Sequence, residues 1–350
     1  MTPGVFVKNI ALCFDHARNR TTSTGPTNVA ALAALLPTGD EQVVWSSADL
    51  TVEGMNRFAT RHRRSAALDV ARASVSHAYE FLVDRWEPGD RLYLFGAGRG
   101  AFCARALTRV LGTVGVLRGP DVAGWTAADF REYVLGTYAM PRTRRSTSDW
   151  QRVTRLAAQL CGRGDLTVDV EFLGLWDTIA VPGLPRAETP DPLSNVIAAR
   201  HAVAIDGGVG PYGVQPLPPS ADGIEEVWFR GAHCDVVGGQ HACTPLSDIA
   251  LDWVLDGAAR AGAVVNRDRA PTPAAVDALA GSAHPVSFRK LPADAVLHAS
   301  VQSYLRAHPS YWRRLPARVV WADPEWEARS ERLLSAPSAP AVAPALAVAS

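Results

Sequence analysis

The chain has 350 residues, 47% of them apolar and 20% charged, which is enough for a large core in one or two domains. Its 35 basic and 35 acidic residues cancel, and the short clusters Arg61-His62-Arg63-Arg64 and Arg142-Thr143-Arg144-Arg145 read as solvated faces, so a nucleic-acid partner is not expected. Five cysteines (Cys13, Cys103, Cys161, Cys234 and Cys243) are odd in number and form no CxxC, which fits a reducing cytoplasm better than a disulfide framework; separately, no apolar stretch approaches the length of a membrane span.

Val5 to Phe14 is a nearly continuous apolar run ending at Asp15, the pattern of a strand buried on both faces. Asn28 to Leu36 reads as a short helix and Gln42 to Trp45 as a second strand. Ser65 to Trp86 carries apolar residues at helical spacing and is stopped by Pro88-Gly89-Asp90. Arg91 to Phe95 is the next strand, and Arg99 to Leu111 the helix after it. A helical insertion spans about 123–164, with helices expected over Thr126 to Thr137 and Ser146 to Cys161. Leu166 to Leu175 returns to strand and ends at Trp176-Asp177. Asn195 to Ile205 reads as helix, Glu225 to Phe229 as strand, and Leu246 to Ala263 as an amphipathic helix capped by Ser247. Strands alternating with helices predict an α/β fold with a doubly wound, mostly parallel sheet, in one domain over 1–334. The Ala/Pro-rich stretch 335–350 is expected to be a disordered tail. Arginine far outnumbers lysine and alanine is abundant, a composition of high-GC bacterial genomes.

Ligands of open α/β sheets bind outside the carboxyl ends of the strands. Four expected strands end there in suggestive residues: Asp15-His16, Gly96-Ala97-Gly98, Asp177 and His233. Leu92 to Phe102 reads LYLFGAGRGAF, an apolar strand, a glycine turn and a helix start. That is the layout of a G-x-S-x-G nucleophile elbow with Gly98 in place of the serine. Gly98, Asp177 and His233 fall in the chain order of nucleophile, acid and base of α/β-hydrolases. Arg99 opens the following helix, Cys234 adjoins the histidine, and Asp235 stands where it can organise the turn Gly238-Gly239. Ser46 and Ser47 are weaker candidates; Cys103 reads as core, His298 and His308 as structural, and Trp45, Trp176 and Trp228 as core or pocket wall. No cluster has metal-ligand spacing and no P-loop is present, so neither metal nor cofactor is expected.

Several blocks, in order, resemble one family. LYLFGAGRGAFCARAL is similar to the YLFGFSRGAFTARAL elbow of the α/β-hydrolase-like family called domain of unknown function 2235, which includes catalytic domains of type VI secretion phospholipase effectors. KNIALCFDHARNR resembles its opening strand and DGTWN-like loop, and Pro26-Thr27-Asn28-Val29 its TNV. FLGLWDTIAVPG resembles FLGVFDTVGSVG, RHAVAID an RHAVSID-like helix, VWFRGAHCDVVGG the VWFPGVHSDVGGG block, and LSDIAL a helix start. The resemblance implies an elbow serine that attacks an ester, an aspartate that orients histidine, and the histidine as base. Asp177 and His233 match the last two roles. Gly98 replaces the nucleophile, Ala97 the bulky residue before it, Asp15-His16-Ala17 the DGT loop, and Val237 a glycine.

A serine hydrolase without serine cannot form an acyl-enzyme. An Asp–His pair still supports general acid/base catalysis worth about 10²–10⁴-fold. The main expectation is therefore a repurposed enzyme with an Asp177–His233 dyad acting on an apolar or lipid-like small molecule, for instance in bacterial secondary metabolism. Isomerisation, elimination, cyclisation and direct water attack all fit it. Its substrate-binding surface is expected from Gly98, Ala97, Arg99, Asp15, His16, Cys234 and Asp235. The alternatives are a non-catalytic pseudo-hydrolase that binds a small molecule, lipid or protein, and an esterase disabled by replacement of serine at position 98.

Overall fold

A computed structural model describes residues 7–15, 25–47, 60–118, 126–184, 193–206, 213–218, 222–281 and 289–332. His16, the beginning of the first apolar run and the Ala/Pro-rich stretch 335–350 lie outside the described residues. Eight strands form one sheet: β1 (Asn9–Phe14), β2 (Gln42–Ser46), β3 (Arg91–Ala97), β4 (Val170–Trp176), β5 (Val196–Ala204), β6 (Ile224–Phe229), β7 (Val296–His298) and β8 (Val320–Ala322). Their spatial order is β2-β1-β3-β4-β5-β6-β7-β8 and every pairing is parallel.

Parallel strands need crossover helices, and those helices bury both faces of the sheet. Alternating residues therefore feed two cores. Ile10, Leu12, Phe14, Leu92 and Leu94 pack with α2 (Thr60–Arg85) and α3 (Arg99–Val114). Ala11, Cys13, Tyr93, Phe95 and Trp176 face α1 (Asn28–Leu35) and a long helix beginning at Thr244. The insertion forms α4 (Ala127–Val134), a π-helical turn (Leu135–Ala139) and α5 (Thr147–Cys161). Phe130, Val134, Tyr138, Val153 and Ala157 pack it onto the α2–α3 layer. Arg72 and Arg109 donate to the Met140 and Ala139 carbonyls, each at 2.9 Å. No helix among the described residues is long and apolar enough to cross a membrane.

Two sequence expectations are corrected. The stretch expected as helix from Asn195 to Ile205 is the central strand β5. Its Arg200 and His201 are both buried, and this polar pair obscured the strand pattern. As neighbours on a strand they serve opposite faces. Arg200 bonds the Trp253 carbonyl and Asp256 on one side, and His201 bonds Glu226 and Thr178 on the other. The helix expected to be capped by Ser247 begins earlier, after Cys243. It and the short helix before it are α6 (His233–Val237) and α7 (Thr244–Arg260). Pro245 suits a first helical turn because that turn needs no amide donor, and Ser247 lies inside the helix, donating to the Thr244 carbonyl at 3.0 Å. The last two helices are α8 (Ala299–Ala307), capped by the His298 ring, and α9 (Trp326–Arg332).

The turn from β3 to α3 depends on close backbone contact. A Cβ on Gly96 would lie 2.5 Å from Ala101 Cα, and one on Gly100 would lie 2.0 Å from the Phe14 carbonyl oxygen. Both obstacles are backbone atoms, so neither can swing aside. Gly100→Ala is expected to lower the unfolding free energy by about 3 kcal/mol, the upper end of overpacking costs. Urea denaturation of the two proteins measures it.

Candidate functional site

Gly98 sits between β3 and α3 with φ 57° and ψ −111°. Its amide donates to the Trp176 carbonyl at 2.8 Å, and its carbonyl accepts from the Ile179 amide at 3.2 Å. Position 98 is thus clamped beside the end of β4. The chain makes the sharp strand-to-helix turn of the elbow layout, with a glycine at its tip. Arg99 begins α3, partly buried.

The next residue after β4 is Asp177, fully buried and held at φ 42°, an uncommon conformation for a non-glycine residue. Its Oδ2 accepts from His233 Nδ1 at 2.6 Å and from Arg289 Nη2 at 3.0 Å. Its Oδ1 accepts from the Ala204 amide at 3.1 Å and from Arg289 Nη1. Burial alone pushes the carboxyl upward, but His233 and the Arg289 guanidinium outweigh it and hold Asp177 well below the usual carboxylate range. An anionic Asp177 requires the proton of the His233 ring on Nδ1. The Nε2 lone pair then faces away from the aspartate, on a side chain that is 36% exposed. The bond fixes the orientation of the ring at the carboxyl ends of the strands, and in its neutral form such a ring can accept a proton on Nε2.

Three sets of contacts hold the His233 segment in place. Asn28 donates from one amide group to the Val236 carbonyl at 2.8 Å and the Ser247 carbonyl at 2.9 Å, joining α6 to α7. Thr27, beside it, caps α1 and donates to Asp15 Oδ1 at 2.8 Å. These bonds account for the Thr27-Asn28 pair. Asp206, buried past β5, accepts from the Gly231 amide at 3.1 Å, from the Tyr311 hydroxyl at 2.9 Å and from Arg314. Asp235 accepts from the Ala232 amide and the Cys243 amide, each at 2.8 Å.

Asp177, His233, Gly98 and Ala97 therefore meet at the ends of β3, β4 and β6. Ala97 is buried beside Trp176 in the β3–β4 pairing. Asp15 lies at the end of β1, where its amide donates to Ser47 Oγ at 2.7 Å. Asp235 spends its carboxylate on backbone amides. Cys234 donates weakly to the His241 carbonyl at 3.5 Å, and burial raises its thiol above the ordinary range, so it is not an activated thiolate. Cys103 is buried in the core, with its thiol pushed up to about 12 by burial. His298 is buried, stacked on Phe229 at 4.6 Å. Trp176 is buried and donates to the Ala250 carbonyl at 3.2 Å, and Trp228 packs into a third core with Leu297 and Tyr304. No group of three metal-ligating side chains comes together among the described residues.

Arg289 is the site residue that sequence reading missed. It lies 112 positions after Asp177 and precedes β7, with no motif around it in an arginine-rich chain. Removing it would leave a buried carboxylate without its main counter-charge. Arg289→Met is expected to cost about 3–5 kcal/mol at neutral pH. In the native protein the folded carboxyl lies below its unfolded value. The resulting stability is therefore complete above about pH 4 and is lost as pH falls through the depressed folded value. In Arg289→Met the folded carboxyl moves up toward its unfolded value, so the window of that loss narrows from its acid end and the loss becomes smaller. Denaturant melts from pH 3 to 8 read both effects.

A profile of the family described as "T6SS, Phospholipase effector Tle1-like, catalytic domain" matches residues 8–257. The "Uncharacterized protein YEL023C" of Saccharomyces cerevisiae is 28% identical over 225 residues, 59% of this chain and 32% of that protein. The chain thus spans about a third of the length of that relative. A crystal structure of an uncharacterized protein from Pseudomonas aeruginosa aligns with TM-score 0.40 at 17% identity, covering 74% of this chain and 46% of that one. The structure of the Tle1 effector bound to the VgrG spike of the type 6 secretion system aligns with TM-score 0.37 at 14% identity, covering 67% and 51%. With the family profile spanning both Gly98 and the Asp177–His233 pair, the chain belongs to the family of type VI secretion phospholipase effector Tle1-like catalytic domains.

Proposed function

We propose that the chain is an enzyme in which His233, oriented by Asp177, performs acid/base chemistry on an apolar or lipid-like small molecule without a covalent intermediate. The observation that carries this reading is the 2.6 Å bond from His233 Nδ1 to a fully buried, anionic Asp177. A protein that only binds has no need of a histidine base so held. Kinship with phospholipase effector domains supports a lipid-like substrate and water as the simplest co-reactant. Nε2 of His233 takes a proton from water or from the substrate. The water oxygen then adds to the electrophilic carbon, and the proton passes to the leaving oxygen. Elimination, isomerisation and cyclisation use the same proton transfer without water. Gly98 removes the acyl-enzyme route and leaves the position of the missing hydroxymethyl to substrate or water.

The test compares the full chain with His233→Ala, Asp177→Asn and Gly98→Ser on short-chain nitrophenyl esters, phospholipid vesicles and candidate metabolites. His233→Ala is expected to lower the native turnover by about 10²–10⁴-fold. Asp177→Asn is expected to lower it as well, because an amide in that place no longer selects the Nδ1-protonated ring. Hydrolysis that appears only in Gly98→Ser would identify a disabled esterase instead. Vesicle binding with no turnover by any variant would identify a binding protein. Native turnover untouched by either dyad substitution would end the proposal.

A further inference from the structure

Beneath the dyad lies a second imidazole–carboxylate pair that the acid/base reading does not use. His201 on β5 is the register partner of Glu226 on β6 and of Leu175 on β4. Its ring is fully buried, and Nδ1 lies 2.9 Å from Glu226 Oε2. The same carboxylate oxygen accepts from the Leu217 amide at 2.7 Å. On the other side of the ring, Nε2 lies 3.0 Å from the Thr178 amide nitrogen and 3.1 Å from Thr178 Oγ1.

These contacts determine the tautomer. A backbone amide can only donate, so Nε2 must present its lone pair to Thr178. The ring proton then sits on Nδ1 and points to Glu226, which can accept it. Thr178 directly follows Asp177, whose backbone is in a left-handed conformation that persists only where its surroundings over-determine it. Around that turn the Asp177 amide donates to the Ala202 carbonyl at 2.7 Å, and the Thr178 carbonyl accepts from the Gln215 amide at 2.9 Å. The Thr178 amide, between them, is held by a side chain. A neutral ring with both nitrogens engaged, Nδ1 on Glu226 and Nε2 on Thr178, is fixed in direction.

We infer that His201 is a positioning residue: locked by Glu226 as its Nδ1-protonated tautomer, it holds the Thr178 amide and thereby aims the Asp177 carboxylate at His233. The inference rests on the reading of Asp177 as the group that orients His233. His201 touches neither His233 nor Gly98 through any bond described above, so it acts through the Asp177–Thr178 turn.

Nitrogen NMR of the histidine-labelled full chain tests this, with the ring nitrogens read through the carbon-bound ring protons. In the native protein both His201 and His233 are expected as Nδ1-protonated tautomers. Single substitutions at each position assign the signals. In His201→Phe the Thr178 amide loses its acceptor, and His233 is expected to shift toward the Nε2-protonated form that free imidazole prefers. In His201→Gln the side-chain oxygen takes the place of Nε2, and the native His233 tautomer is expected to return. A general loss of packing would not be rescued in this way. An Nε2-protonated His201 in the native chain, or an unchanged His233 tautomer in folded His201→Phe, would overturn the inference. If His201→Phe does not fold, the native His201 tautomer and the His233 tautomer in His201→Gln decide the matter. These signals do not depend on turnover, so a null result for His233→Ala activity would remove the acid/base reading and leave this inference to its own measurement.

Discussion

A carboxylate with no access to water must be surrounded by donors, because desolvating an unpaired charge is among the largest penalties a fold can incur. Asp177 is such a group. Its two oxygens collect the His233 ring, both terminal nitrogens of Arg289 and the Ala204 amide. These donors come from the turn after β6, the segment before β7 and the end of β5. One carboxylate at the end of β4 therefore ties together neighbouring strand ends of the sheet. Satisfying that charge and orienting the histidine are the same set of bonds.

The turn from β3 to α3 is built from backbone constraints alone. Gly96 and Gly100 are required because a Cβ at either place would strike main-chain atoms. Gly98 keeps the left-handed turn and its two bonds to the 176–179 segment. None of those constraints involves a hydroxyl. The turn, the helix start behind it and the neighbouring Asp177–His233 pair form one geometric unit without any side chain at position 98.

The supporting residues divide the work. Asn28 joins α6 to α7, Asp206 holds the Gly231 turn, and Asp235 closes the segment from Ala232 to Cys243. Each places side-chain polar atoms on backbone groups of α6, its flanking turns or the first turn of α7. His233 thus stands on a segment that is irregular yet held at several points. That arrangement suits a group whose ring must keep one orientation.

Much of this could be read along the chain. Apolar runs ended by Asp15, Gly98, Asp177 and His233 marked the strand ends, because a parallel strand buried on both faces must be apolar until it reaches the site. The Gly96-to-Gly100 spacing marked the elbow, because close backbone approach leaves no alternative to glycine. The β5 strand reads as helix in the sequence because its buried Arg200 and His201 are satisfied by partners 23 and more positions away, and local periodicity carries no trace of such partners. Arg289 was invisible for the same reason: its meaning lies in a carboxylate 112 residues distant. Local pattern, set by backbone sterics and burial, determined the elements from β1 to β4, the helix that became α7 and the positions of Asp177 and His233 past strand ends. Only tertiary structure decided which charges compensate one another, since that depends on which strand ends the sheet brings side by side.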